Sequence, residues 1–521
     1  MHIEAETDAG RIRGTRENGV AAFKGIPYGA DTAGEHRFMP PRKPTPWAGV
    51  RDALAYVAQS PQSRVGFNRR RELEHFASPP DTTPESEDCL TLSIWTPDLS
   101  QSGLGDGAKR PVMVWLHGGA FSFGSANSAR LDGTNLARRG DVVVVTVNQR
   151  LNIFGHLDLS ALGGAEFAAS GNAGTLDMIA ALEWVRDHAE RFGGDPGNVT
   201  IFGESGGGGK VSTLMAMPLA RGLFHRAIVQ SGAVIRLRER ERAARLSDAV
   251  LRELGLGRAQ LGELQRLPWE RLRAAVEPAT SALGASPWPL FDRYPFGPVL
   301  DGTIVPRHPF EPDAPDLSDD IPLLVGDTKD EASLFLSQDD KVWEGTLTES
   351  ELREGVAAVA GAHTDRVLAT YRQVYPQMSP AERLIATLTD SNFRIRSLTM
   401  AERRARKSRA GTYMYSFAWE TPAFGGRLKS PHAMDVPFTF ETVRLLAPGD
   451  RNEAALALAA TMAATWAAFA RTGNPDCPAI PRWPAYTPER RATLILDENC
   501  RIEDDPGGET RALWQEIATS A

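Results

Sequence analysis

Along the chain, short runs of near-continuous apolar residues are separated by longer stretches in which apolar positions fall at helical spacing. PVMVWL (111–116), DVVVVTV (141–147), VTIFG (199–203), AIVQSG (227–232) and IPLLVG (321–326) lack the alternation of a half-exposed strand. They predict parallel strands buried on both faces. TYMYSFAW (412–419) is a later strand candidate, and TLDMIAALEWVRDHAERF (175–192) predicts a helix between the second and third runs. Strands alternating with helices imply an α/β fold with a doubly wound, mostly parallel sheet. The stretches of roughly 235–285 and 340–410 are Arg- and Ala-rich and carry no strand signal. They are expected as helical insertions over the active edge of a single domain spanning 1–521, because no Pro/Gly/Ser linker divides the chain.

The segment FGESGGGGK (202–210) admits two readings. A phosphate loop, G-x-x-x-x-G-K-[ST], needs its first glycine where Glu204 stands and a hydroxyl where Val211 stands. The dinucleotide pattern G-x-G-x-x-G fails at Ser205 counted from Gly203, and at Val211 counted from Gly206. What fits is G-x-S-x-G, a turn that lifts a nucleophilic serine above the carboxyl edge of a sheet. The flanks agree, with the apolar, β-branched NVTIFGE upstream and the helix-forming KVSTLMAMPLA downstream until Pro218. Gly203 and Gly207 then stand where a side chain would clash in so tight a strand–turn–helix.

Composition narrows the class. With 42% hydrophobic and 24% charged residues over 521 positions, the chain is an ordinary globular one. Its net charge of −8 argues against nucleic acid and anionic membrane surfaces as partners. RLRERERAAR (236–245) is expected as a solvated helix face, not a binding arm. The start, MHIEAETDAGRIRG, lacks the basic and apolar regions of a secretory signal, and no stretch approaches the roughly 18 consecutive apolar residues of a membrane span. Cys89, Cys477 and Cys500 are too few and scattered for a disulfide framework or a zinc site, so no metal is expected. A soluble cytoplasmic protein is the expectation.

A serine hydroxyl needs a base to take its proton, and the base needs a carboxylate to orient it. In α/β-hydrolases these follow in the order Ser, acid, His. His225, His308, His363 and His432 lie downstream of Ser205. His225 leads straight into a strand, which suits packing, whereas His432, in SPHAMDVPFTF, occupies a Pro-bounded loop after the 412–419 strand, where a base is expected. LLVGDTKDEASLF offers Asp327, Asp330 and Glu331 just past a strand end, and spacing does not choose among them. HGGAF (117–121) directly follows the 111–116 strand and is suited to present backbone N–H groups to an oxyanion.

Taken together these blocks resemble the type-B carboxylesterase and lipase family, which includes the cholinesterases and bacterial para-nitrobenzyl esterases. The resemblance runs through FKGIPYG (23–29), RFMPP (37–41), SEDCLTLSIWTP (86–97), HGGAF, GNAGTLD (171–177) and FGGDPGNVTIFGESGGG (192–208). It continues in FGPVLDGTIVP (296–306), GDTKDEASLF (326–335), HAMDVPFTF (432–440), WAAFARTGNP (466–475) and WPAY (483–486). It implies an α/β-hydrolase fold, hydrolysis of a small-molecule ester without a cofactor, and a monomer or weak homo-oligomer. It matches Ser205 to the nucleophile, Glu331 to the acid and His432 to the base. Gly119, Ala120 and Gly206 match the oxyanion donors, with Ser231 and Glu204 as supporting residues. His432 is expected to titrate at about 6 to 7. An amidase or carbamate hydrolase using the same triad is the alternative, and a non-catalytic cholinesterase-like binding protein is a further one.

Three departures stand out. Gly206 replaces the family's usual alanine, Cys89 has no earlier cysteine to pair with, and VNQRLNIFG (147–155) is an altered form of its block. ASPWPLFDRYPF (285–296) is expected to line a substrate pocket.

Overall fold

The structure, a computed structural model, describes residues 1–62, 70, 73, 81–97, 109–283, 295–446 and 448–520. Its strands are β1 (His2–Thr7), β2 (Gly10–Glu17), β3 (Val20–Pro27), β4 (Val50–Asp52), β5 (Thr91–Pro97), β6 (Arg110–Leu116), β7 (Val143–Val147) and β8 (Gly194–Glu204). β9 (Arg226–Gln230), β10 (Arg238–Glu239), β11 (Val299–Leu300), β12 (Leu323–Thr328), β13 (Thr412–Phe417), β14 (Ala492–Leu496) and β15 (Arg501–Asp504) follow. Among the described residues thirteen of these form one sheet, in the order β1-β2-β3-β5-β7-β6-β8-β9-β12-β13-β14-β15 with β4 against β2; β10 and β11 pair with each other. From β7 to β14 every neighbour is parallel. Both flanks are antiparallel apart from β4, which lies parallel to β2.

The parallel centre is the part that the apolar runs predicted. β6, β7, β9 at its inner end, and β12 are buried on both faces, as unbroken Val/Ile/Leu sequence requires. Boundaries moved for local reasons. The 141–147 run begins its strand only at Val143, because the helix Thr134–Gly140 ends with Asp141 in the left-handed region at φ 47°. The 227–232 run ends at Gln230, because Ser231 turns away at φ 50°. The strands not anticipated are β1 to β5, β10, β11, β14 and β15, of which β10 falls in the 235–285 stretch expected to carry no strand. β1 and β2 alternate buried with more exposed positions and carry several charges, so they are specified by their antiparallel partners more than by their own hydropathy.

The helix Ala173–His188, extended by a 3-10 turn Ala189–Phe192, occupies the predicted 175–192 stretch. Residues 240–282 form the helices Arg240–Leu254, Leu261–Arg266 and Trp269–Ala282. Farther on, Glu349–Ala360, Thr364–Val374, Pro380–Thr389 and Ile395–Lys407 are helical, with a π-turn at Asp390–Arg394. One helix, Glu453–Thr472, is long and apolar enough by length and composition to cross a membrane. Its Leu458, Met462, Trp466 and Phe469 are buried in the same apolar core as Trp115, Phe202 and Ile228 of the sheet, which accounts for its hydropathy.

The altered block 147–155 is a buried polar clamp. The Arg150 guanidinium donates to Asp177 from Nε at 2.9 Å and Nη2 at 2.6 Å, and its Nη1 donates to the Met39 carbonyl at 2.8 Å. The Arg150 backbone N–H also donates to Asp177, at 3.0 Å. Both side chains are buried, so neither charge has water to fall back on. Asp177→Ala strands the guanidinium and should destabilise the protein by roughly 3–5 kcal/mol. The check is a lower denaturant midpoint at unchanged slope; a loss below about 1 kcal/mol would mean that water or a carbonyl takes over the charge.

Candidate active site

The carboxyl ends of five sheet strands converge. β8 ends at Glu204, and Ser205 follows with φ 55° and ψ −121° before the helix Gly206–Leu214 begins. A non-glycine residue holds such angles only when its surroundings leave no alternative. Here the surroundings are backbone. A Cβ on Gly203 would sit 2.5 Å from the Leu116 carbonyl oxygen, and one on Gly207 would sit 2.0 Å from the same atom. The two glycines of the motif therefore let the elbow press against the end of β6. Ser205 donates its backbone N–H to the Gln230 carbonyl at 2.8 Å, and its own carbonyl accepts from Gly209 at 3.0 Å.

Of the three carboxylates past β12, Glu331 is the one that reaches the histidine. Its Oε2 lies 2.5 Å from His432 Nδ1, and its Oε1 accepts the Thr328 N–H at 2.8 Å. Asp327 instead accepts from Ser397 at 2.8 Å, and Asp330 from the Ser430 N–H at 3.2 Å. Phe335 and Phe393 flank the His432 ring with centroids 5.0 and 5.1 Å away. His432 Nε2 faces Glu204 Oε1 at 3.1 Å. Among the described residues no hydrogen bond joins His432 to the Ser205 hydroxyl, so the structure brings together Glu331, His432 and Glu204, with Ser205 as the next residue along the chain.

Glu204 thus has a larger part than the sequence assigned it. Burial raises its pKa, and Asp435 and Glu331 add to the rise. Burial alone would lower His432, but Glu204 first and Glu331 second overcome it and hold the imidazole up at about 9. Two carboxylates facing one buried ring account for the direction of that shift. Three further residues were missed. Asp435, buried three residues after His432, accepts from Gln230 at 2.9 Å and Tyr415 at 2.8 Å. Arg130 donates to the Ala433 carbonyl at 2.9 Å, and its charge acts on Glu204 and Asp435. Phe393 comes from the π-turn. Only Asp435 had a signal, since it sits inside the histidine block. Ser231 follows the end of β9, buried, and among the described residues its hydroxyl has no hydrogen-bond partner.

The loop after β6 is strained throughout, with Gly119 at φ 96°, Ala120 at 49° and Phe121 at 60°. Its carbonyls are turned outward: the Gly119 oxygen accepts from Ser122 at 2.9 Å and Phe123 at 3.1 Å, and the Gly118 oxygen lies 2.8 Å from His117 Nδ1. Among the described residues no acceptor takes the N–H of Gly119 or Ala120, and Gly206 opens a helix, where an N–H has no intrahelical acceptor. These N–H groups are available to an incoming oxygen. The lysine of GGGGK serves the same loop from behind. Lys210 is buried, donates to the His117 carbonyl at 2.8 Å, and is pushed well below its ordinary pKa by burial. The Gln149 side-chain amide, from the altered block, lies 2.9 Å from His117 Nε2. In front of Ser205 opens a cavity of about 480 Å³. Residues 285–294 of the expected pocket segment lie outside the described residues; Phe296 lines the cavity.

A mostly parallel sheet with a serine raised on a strand–helix elbow, and a carboxylate–histidine pair at the same edge, defines an α/β-hydrolase. The model of the carboxylesterase family matches residues 2–514, and the chain belongs to that family. It is 38% identical over 515 residues to the para-nitrobenzyl esterase of Bacillus subtilis (strain 168), covering 98% of each chain. Phenmedipham hydrolase of Pseudarthrobacter oxydans is 31% identical, with 96% of each covered. Among solved structures, a carboxylesterase of Geobacillus stearothermophilus superposes with a TM-score of 0.83 at 38% identity, over 98% of this chain and 100% of that one. The protein is an ester-hydrolysing serine carboxylesterase.

Two outcomes follow from the geometry. An imidazole held up at about 9 is fully protonated well below that pH and gains its free base form only as pH rises through it. Activity should therefore climb from neutral into alkaline pH. Glu204→Gln removes the nearest carboxylate facing Nε2, so the acid limb of kcat/KM should move down by about one pH unit; an unmoved limb would mean that Glu204 does not hold the proton. Gly206 gives the second outcome. A Cβ there would lie 2.5 Å from the Ala120 nitrogen, so Gly206→Ala must displace the loop. It should lower kcat about tenfold with little change in KM, because misplaced donors weaken only the transition state.

Proposed function

We propose that Ser205 is the nucleophile, His432 its base and Glu331 the carboxylate that orients the base. Gly119, Ala120 and Gly206 supply the N–H groups for the oxyanion, with Glu204 and Ser231 as supporting residues. The observation that carries this reading is the 2.5 Å contact of Glu331 with His432 Nδ1, at the sheet edge where Ser205 is held in its strained turn. When an ester is seated, His432 in its free-base form, its Nε2 proton lost to solvent, turns that nitrogen from Glu204 to the Ser205 hydroxyl and takes the hydroxyl proton as Oγ attacks the carbonyl carbon. Contacts of this kind are often incomplete without substrate. The tetrahedral oxyanion is held by the three N–H groups. Collapse expels the alcohol, protonated by His432, and a water activated by the same imidazole hydrolyses the acyl-enzyme.

The substrate is a small-molecule ester, and the relative named para-nitrobenzyl esterase makes esters of benzyl-type alcohols the first to try. We read the whole chain as one catalytic unit, with the stretches near 235–285 and 340–410 as helical insertions over the active edge. In support, residues 236–245 and 392–396 reach the cavity in front of Ser205. The three free cysteines favour a cytoplasmic enzyme, which we take as a monomer or weak homo-oligomer. Neither the amidase nor the non-catalytic alternative gains an observation in its favour.

A fluorophosphonate probe tests the assignment, because only an activated hydroxyl attacks phosphorus. The expected outcome is one rapid label, on Ser205, lost together with esterase activity in Ser205→Ala. A label or turnover surviving that change would remove Ser205 from the role.

A further inference from the structure

The helices Pro380–Thr389 and Ile395–Lys407 form one continuous helix interrupted by the π-turn Asp390–Arg394, which carries one residue more than an α-helical turn. Two side chains staple this helix to the segment that bears Glu331. Thr389 Oγ1 accepts the Ala332 N–H at 3.1 Å, and Ser397 Oγ donates to Asp327 at 2.8 Å. Eight residues apart on a regular α-helix, Thr389 and Ser397 would point about 80° away from each other. The extra residue between them reduces that angle to about 20°. The bulge therefore lets both staples reach the same loop.

It has a second consequence. Asn392 and Phe393 are buried, and both line the cavity in front of Ser205. The Phe393 ring lies 5.1 Å from the His432 ring, and Phe335, 5.0 Å from His432, stacks beside Phe393 at 5.9 Å. The imidazole that has to turn from Glu204 to the Ser205 hydroxyl is thus bounded by two aromatic rings, one of them carried by the π-turn.

What fixes the turn is a chain of buried polar contacts that the reaction itself does not use. Tyr371, on the helix Thr364–Val374, donates its hydroxyl proton to Asp390 Oδ2 at 2.5 Å. Asp390 Oδ1 faces Arg394 at 3.5 Å, so the first residue of the turn is joined to its last. Trp514, on the helix Gly508–Ser520, donates to the Tyr371 oxygen at 2.9 Å. Tyr371, Asp390 and Trp514 are all buried. Burial first and Asp390 second push the Tyr371 hydroxyl well above its ordinary pKa, so it stays a donor. Helices distant in sequence converge on one carboxylate, and that carboxylate opens the turn that presents Phe393.

We propose that Asp390, held by Tyr371, is a positioning residue for the base: it fixes the π-turn that sets Phe393 against His432, and so sets where the imidazole stands when it meets Ser205. The inference rests on the reading of His432 as base and Ser205 as nucleophile.

Four variants test it on 4-nitrophenyl acetate, whose small acyl group makes little use of the cavity wall and whose acylation and deacylation both need His432. Each is assayed for kcat, KM and thermal midpoint. Phe393→Leu should lower kcat about tenfold with KM within about twofold of wild type, because a base out of line weakens the transition state more than the ground state. Tyr371→Phe and Asp390→Asn should lower kcat several-fold in the same manner. Tyr371→Phe/Phe393→Leu should be no slower than Phe393→Leu alone, since both changes act through one ring. Tyr371→Phe removes a single oxygen and decides the matter by itself if Asp390→Asn does not fold. A wild-type kcat in Tyr371→Phe, whatever its thermal midpoint, would make the network structural only and overturn the inference. So would losses that multiply in the double variant, or a Phe393→Leu enzyme that changes KM and not kcat. Those outcomes leave Ser205 and His432 in their roles. Absence of a fluorophosphonate label on Ser205 in the wild-type enzyme would overturn that assignment and the inference with it.

Discussion

The end of strand β6 and the turn after β8 touch through backbone alone, and the active edge is organised around that contact. The Leu116 carbonyl lies where the Cβ atoms of Gly203 and Gly207 would be. Because neither residue has one, the elbow bearing Ser205 closes onto the strand that leads into the HGGAF loop. Ser205 and the HGGAF loop are therefore set against each other by close approach of main chain, which is stiffer than any side-chain contact. Strain at Ser205, Gly119, Ala120 and Phe121 is the consequence, and the surrounding sheet sustains it.

Behind this edge lies an unusual quantity of buried polar matter. Arg150 with Asp177 holds the segment after β7, and Gln149, His117 and Lys210 brace the loop from below. Lys210 is a lysine that burial drives toward neutrality, and its useful property is a single hydrogen bond to the His117 carbonyl. In front, Glu204 and Glu331 clasp the two nitrogens of His432, so that the resting imidazole is biased toward its charged form.

The central parallel strands were legible because a strand covered on both faces has to be apolar at nearly every position, and β6, β7, β8, β9, β12 and β13 each announce themselves so. The flanking β1 to β5 and β14 to β15 were not, since β1, β2, β4 and β15 are partly exposed, and the pairings of β5 with β3 and β7 join segments distant in sequence. The elbow was legible for a similar reason: a backbone collision admits only glycine, and that necessity is written in the residues themselves. Gly203, Ser205 and Gly207 needed no tertiary information.

What the sequence could not decide is which groups face which. Asp327, Asp330 and Glu331 lie within five residues, and only the path of the chain after β13, which carries His432 back over the sheet edge, brings one of them to the ring. The same path puts Glu204 on the other nitrogen, and with it raises the pKa of the imidazole. The run 236–245 reads as a solvated helix face because its composition is that of one; its position at the mouth of the site depends on how the insertion folds over the sheet. Sequence determined the elements with local or steric causes, the parallel strands and the glycine-flanked serine. Tertiary structure alone decided the electrostatics, because the energy of a charge depends on distances to groups a hundred or more residues away.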